Sequence, residues 1–150
     1  MGLIRRSPSE ILKRGYSDEE LAHIYELGRF FLENGELRKA EPIIHGILEI
    51  APDFVPALLA QAYLFIQRSE FDSGLSMSRQ ALKYAPEMLE ASLMAVCCMI
   101  TLNDTSGAGT LLGEIGEKVE AGAVERPELV RFYKVQLARF QTRSLVRNTN

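Results

Sequence analysis

A chain of 150 residues, 47% hydrophobic and 25% charged, is long enough for one core-bearing domain and too apolar for global disorder. The formal charge of −3 argues against a general nucleic-acid binder, which presents a basic face to phosphates. The only cysteines, Cys97 and Cys98, are neighbours that cannot bond without strain, so a reduced protein without a disulfide framework is expected.

At the start, "MGLIRRSPSE" forms no complete targeting signal. Glu10, Lys13 and Arg14 interrupt any apolar run after Arg5-Arg6, and Arg6 stands where a myristoylation motif needs Ser or Thr. A cytoplasmic protein is expected. Ser7-Pro8 opens a short helix over about Ser9 to Arg14, within an N-terminal segment of residues 1–20. Ser17 then reads as an N-cap, with Glu20 three residues on as a capping box, and the helix it starts runs to the Asn34-Gly35 turn. A second helix, about Leu37 to Ile50, stops before Ala51-Pro52, because a residue preceding proline disfavours helical geometry.

The plan then recurs. "ILEIAPDFVPALLAQAYLF" and "ALKYAPEMLEASLMAVCCM" align without gaps, and Pro52 and Pro86 lie 34 residues apart, each between Ala and an acid. This register predicts helices at about Val55 to Arg68, Phe71 to Tyr84, Leu89 to Leu102 and Thr105 to Val119. The units are residues 21–54, 55–88 and 89–122, the third degenerate because Glu120 replaces the closing proline. Gly107, Gly109, Gly113 and Gly116 in its second helix predict either close packing or a soft helix. Arg126-Pro127 opens a last helix over 126–145, with Leu129, Val130, Phe132, Tyr133, Leu137 and Phe140 on its apolar side. The segment 126–150 holds six Lys/Arg and one acid, net +5, against −8 for the rest. That split fits a basic tail for an acidic partner or a solvated outer face.

The small, aromatic and proline positions of these units resemble the tetratricopeptide repeat family. In the first unit they fall on Leu27-Gly28, Phe31, Ala40, Ile44, Ile47 and Pro52. In the second they fall on Gln61-Ala62, Phe65, Gly74, Ser78, Ala81 and Pro86, with Gln61 and Ser78 as departures. The third has Ala95-Val96, Met99, Ala108, Leu112 and Ile115. The resemblance implies an all-α solenoid of about three helical hairpins with a short N-terminal helix and a C-terminal capping helix. It also implies that the first helix of each unit lines a concave groove.

"MLEASLMAVCCMITLN", from Met88 to Asn103, is apolar on nearly every side, yet its uncharged part, Ala91 to Leu102, has only 12 residues against the roughly 20 of a membrane span. Protein must therefore cover it on both faces, and membrane insertion is not expected. The expected groove lining is Tyr25, Arg29 and Leu32, then Leu59, Tyr63 and Ile66, then Leu93, Cys97 and Ile100. Its occupant is a partner segment, a second copy, or the chain's own last helix. The positions of the clamp that grips acidic chaperone C-termini fall on Tyr25, Arg29, Ala60, Glu90 and Met94, of which Arg29 alone is basic. An apolar or amphipathic helical ligand is expected instead.

No enzyme is expected: there is no convincing strand with a Gly-rich loop, and His23 and His45 have no partner set for catalysis or for a metal, so no metal and no cofactor is implied. Cys97 has nothing cationic beside it in sequence, and a structural thiol is the default. The layout resembles small tetratricopeptide chaperones of bacterial type III secretion, which hold a secreted subunit's apolar helix in the bacterial cytoplasm, often with a co-chaperone. A generic adaptor or assembly factor and a self-associating structural protein are the other readings.

Overall fold

A computed structural model describes residues 15–148, and the short helix expected at about Ser9 to Arg14 lies outside them. Among the described residues the fold is all-α, with α1 (Asp18–Glu33), α2 (Leu37–Ile50), α3 (Val55–Gln67), α4 (Phe71–Tyr84), α5 (Leu89–Thr101), α6 (Thr105–Glu120) and α7 (Pro127–Asn148). No helix among them is long and apolar enough to cross a membrane.

The ends explain the lengths. Ser17 caps α1 by accepting the Glu20 N–H at 3.1 Å, and Asp104 caps α6 by accepting the Gly107 N–H at 3.0 Å. Helices α1, α3 and α5 end in the same way. Gly35, Ser69 and Asn103, spaced by 34, all adopt left-handed backbone, with φ of 74°, 60° and 65°. The next N–H then reaches back to the carbonyl five residues earlier: Glu36 to Phe31 at 2.8 Å, Glu70 to Phe65 and Asp104 to Met99 at 2.9 Å. This is the Schellman arrangement, which satisfies carbonyls that a helix end leaves orphaned. Helices α2 and α4 stop at Ala51 and Ala85, at nearly identical backbone angles (φ −136° and −137°) enforced by the prolines that follow. With Glu120 in place of that proline, α6 runs two residues longer than α2 and α4 and stops on left-handed Gly122. The backbone thus repeats every 34 residues, as the sequence does, until the end of α6.

Each helix packs on its sequence neighbour. The odd helices also touch in order, α1 on α3, α3 on α5 and α5 on α7, whereas no two even helices meet among the described residues. The odd helices thus share one side of the array, here the inner side, and the even helices the other. The core runs along it in three clusters: Ile44, Ile47, Ala57 and Leu64; then Leu58, Leu59, Ala81 and Ala91; then a larger one built on α5 and α6. Helix α5 contacts α3, α4, α6 and α7, which is why it is apolar all round.

The glycines of α6 divide by environment. A Cβ at Gly109 would lie 3.2 Å from the Phe140 ring, and one at Gly116 would lie 2.7 Å from the Tyr133 hydroxyl, so these two admit α7. Gly113 faces open space. Close packing accounts for the pair seven residues apart.

Candidate partner-binding cleft

On the inner side, α1, α3 and α5 enclose an open cleft of about 260 Å³. Tyr25, Arg29 and Leu32 come from α1, Leu59, Ala60 and Tyr63 from α3, and Glu90 and Met94 from α5. The lining is itself periodic: Tyr25 and Leu59, Arg29 and Tyr63, and Ala60 and Met94 are each 34 apart. A second cavity, of about 300 Å³, adjoins it through Tyr25, Leu59 and Glu90 and extends to Arg126, just ahead of α7, and to Leu129 on α7.

The charges in the cleft are paired. Arg29 lies between Glu33 (2.8 Å) and Glu26 (3.7 Å), and the Glu33 hydrogen bond holds its guanidinium all the more firmly protonated. Arg126 binds Glu90 across the second cavity and Glu128 at 2.7 Å, and these bonds raise its pKa in the same way. Tyr25 packs edge-on against Phe54 (centroids 6.0 Å apart). Burial pushes its hydroxyl pKa up, with Glu26, Glu90 and Glu33 adding to the rise and Arg29 opposing it. A neutral phenol beside compensated cations offers an apolar surface with polar edges and no free positive charge for an acidic peptide.

Five of the nine expected lining residues meet here: Tyr25, Arg29, Leu32, Leu59 and Tyr63. The other four lie elsewhere. Leu93 and Ile100 are 0% and 1% exposed, inside the cluster on which Leu129, Phe132, Tyr133 and Phe140 of α7 pack. Helix α7 occupies the place of a fourth inner helix and closes the side that unit three was expected to leave open. Ile66 packs against the same cluster, next to Gly74, where a Cβ would lie 3.1 Å from it. Cys97 is half-buried at the α5–α7 boundary.

There Arg139 of α7 donates to the Gln136 side-chain oxygen at 2.6 Å, the Thr101 hydroxyl at 2.9 Å and the Cys97 sulfur at 3.4 Å. The cation is 42 residues from Cys97 in sequence, so local inspection had no signal for it. Cys98 is fully buried, and burial first, then Cys97, pushes its pKa up to about 12, with Arg139 opposing. It is a packing residue. Glu90 and Met94, in the clamp register but outside the expected lining, are the cleft residues α5 does supply.

The outer side carries a larger depression, about 490 Å³, over Leu48, Leu58, Phe65 and Met77. It is the gap left where α2 and α4 do not touch, and the Arg68–Glu41 pair stands at its rim; the bond from Arg68 holds the Glu41 pKa down. Its lining comes from one stretch of the array and does not recur along it. Among the described residues no three His, Cys, Asp or Glu come together as a metal site. No protein-family model matches the chain, and no curated protein matches it.

Proposed function

We propose that this chain is a protein-binding module of the tetratricopeptide kind, which holds an apolar or amphipathic helical segment of a client in its inner cleft. The observation that carries the reading is the lining of one continuous cleft by three successive inner helices, in which neighbouring helices present side chains in pairs at 34-residue spacing, two pairs between α1 and α3 and one between α3 and α5. A client helix running across them meets anchors from each helix in turn, as in helix-in-groove recognition. The volume argues in the same direction. About 260 Å³ is below the usual range for a small-molecule pocket, roughly 300–1,000 Å³, but accommodates one or two large side chains of a segment whose backbone stays outside. The pairing of Arg29 and Arg126 with carboxylates disfavours an acidic ligand. With the repeat layout and the C-terminal helix, these features support the type III secretion chaperone class, acting on an export client in the bacterial cytoplasm.

Selection of displayed random peptides on the immobilised chain tests this. Enriched peptides should carry apolar residues at helical spacing and lose binding to Tyr63→Glu, whose helical content should match the parent. Leu93→Glu should unfold instead, because a carboxylate buried without a partner costs several kcal/mol. Peptides that bind Tyr63→Glu as well as the parent, or that depend on an acidic terminus, would sink the proposal.

A further inference from the structure

Three polar side chains are buried among the described residues, those of Gln61, Ser78 and Gln136. Ser78 donates to the Gly74 carbonyl at 2.8 Å, and Gln136 accepts from Arg139 at 2.6 Å. Gln61 of α3 is 8% exposed, and its side-chain amide has no hydrogen bond to any described residue. A buried amide without a partner costs stability, so its presence calls for a cause outside the packing of the fold. Among the described residues, no fully enclosed side-chain nitrogen or oxygen lacks a partner. The Gln61 amide therefore opens onto space, and the space it lines is the outer depression of about 490 Å³.

The repeat requires neither the amide nor the gap. The residues 34 positions before and after Gln61 are Leu27 and Ala95, both apolar. At the next joint, Leu75, Ala95 and Met99 stand where this one has Glu41, Gln61 and Phe65, and all three are buried in one core cluster. The polar group and the open space thus occur together, at one joint of the array. Leu48 of α2, Leu58 and Phe65 of α3 and Met77 of α4 supply its apolar walls. Its volume, unlike that of the inner cleft, falls within the roughly 300–1,000 Å³ usual for small-molecule sites.

We propose that this depression binds a small amphiphilic amine. Its apolar body lies between α2 and α4, a hydroxyl or amide at its inner end bonds Gln61, and its ammonium group sits at the rim beside Glu49. Charge complementarity sets the sign of the ligand. Glu41 and Glu49 are among the lining residues, and no Lys or Arg is. Glu41 is engaged by Arg68. Glu49, exposed at the rim, has His45 at 3.2 Å, which is a cation only when protonated. Two carboxylates against one guanidinium disfavour an anion such as a fatty acid and favour an ammonium. The Gln61 amide both donates and accepts, so it pairs with a hydroxyl or an amide in either sense. A buried group of this kind discriminates against a ligand that lacks the matching polar atom.

Tyramine carries all three elements, phenethylamine lacks the hydroxyl, and para-ethylphenol lacks the amine. In amide-shift titrations of the isotope-labelled full-length chain, tyramine should bind severalfold more tightly than either analogue. The shifts should gather at Leu48, Leu58, Phe65 and Met77. Gln61→Met, close in shape but without the amide, should weaken tyramine about 3- to 10-fold, the equivalent of one hydrogen bond, and leave phenethylamine unchanged. Glu49→Gln, on the exposed rim, should weaken both amines and leave para-ethylphenol unchanged. Because Gln61→Met removes an unpaired amide, the melting temperature of the free chain should hold or rise. A fall would assign the amide to the fold and overturn the proposal. No saturable shift, shifts centred on Tyr25 and Tyr63 of the inner cleft, or three probes that bind the parent and Gln61→Met alike would overturn it as well.

Discussion

The glycines of α6 make opposite predictions for one chemical change. Gly113→Ala adds a methyl group into open space on an exposed helical face, so it gains helix propensity alone, about 0.8–1 kcal/mol. For a domain of this size that corresponds to a melting temperature higher by roughly 2–4 °C. Gly116→Ala gains the same propensity but sets its Cβ 2.7 Å from the Tyr133 hydroxyl, so the ring of α7 must shift. Overpacking of this kind costs about 1–3 kcal/mol, leaving a net effect between about zero and 2 kcal/mol destabilising. The hydroxyl alone makes the clash, because the next ring carbon would be 3.4 Å away, an ordinary contact. In a Tyr133→Phe background, therefore, Gly116→Ala should become stabilising by about 1 kcal/mol. Thermal unfolding followed by circular dichroism measures all four members of this double-mutant cycle. If Gly116→Ala stabilises as much as Gly113→Ala with Tyr133 intact, α7 does not lie on α6 as described.

Two further predictions concern the α5–α7 boundary. Arg139→Ala removes the donor to Gln136, which is 4% exposed, and to Thr101, so it should cost about 1–3 kcal/mol in urea unfolding; a change below about 0.5 kcal/mol would show that the guanidinium is not engaged there. For Cys98, the folded pKa of about 12 lies above the ordinary 9.0, so the unfolded chain loses its thiol proton first as pH rises. This contribution is intact below pH 9.0 and is lost as pH climbs through about 12. The raised pKa of Tyr25 acts in the same sense. Stability should fall across that window, and less steeply in Cys98→Ala; an identical slope in both proteins would remove Cys98 as a cause.

Where local chemistry decides the structure, it was readable in the sequence. Ser17, Asn34-Gly35 and the two Ala-Pro joints act within a few residues of themselves, and the helices they bound lie within about two residues of expectation through α6. The phase of α5 was harder. Periodicity identifies a buried face only when another face is polar, and α5 has almost no polar face. Leu93, Cys97 and Ile100 were therefore expected on an open surface, although the first and last are core. What closes that side is α7, and the register of α7 cannot be extrapolated from the 34-residue period, which ends with α6. Likewise, left-handed Ser69 is not a residue that announces a helix end; the repeat, not its own chemistry, puts it there.

The uneven charge of the chain follows from the same docking. Of the six basic residues between Arg126 and Asn150, Arg126 binds Glu90 at the start of α5, Arg139 binds Thr101 at its end, and Arg143 binds Asn103 in the turn that follows. These cations, one just ahead of α7 and two on it, thus bind at both ends of α5 and in the turn after it. The exposed Arg126 pair contributes little stability by itself, roughly 0–1 kcal/mol, and the burial of Phe132, Tyr133 and Phe140 against the α5–α6 cluster outweighs it. The charges do more for specificity: a segment of net +5 (residues 126–150) in a chain whose remaining residues carry net −8 is drawn to one orientation, and its guanidinium groups fix the register along α5. An acidic partner is not required to explain the basic segment. Three of its six cations are bound inside the fold, and that docking leaves the cleft between α1, α3 and α5 as a part of the inner surface that α7 does not cover.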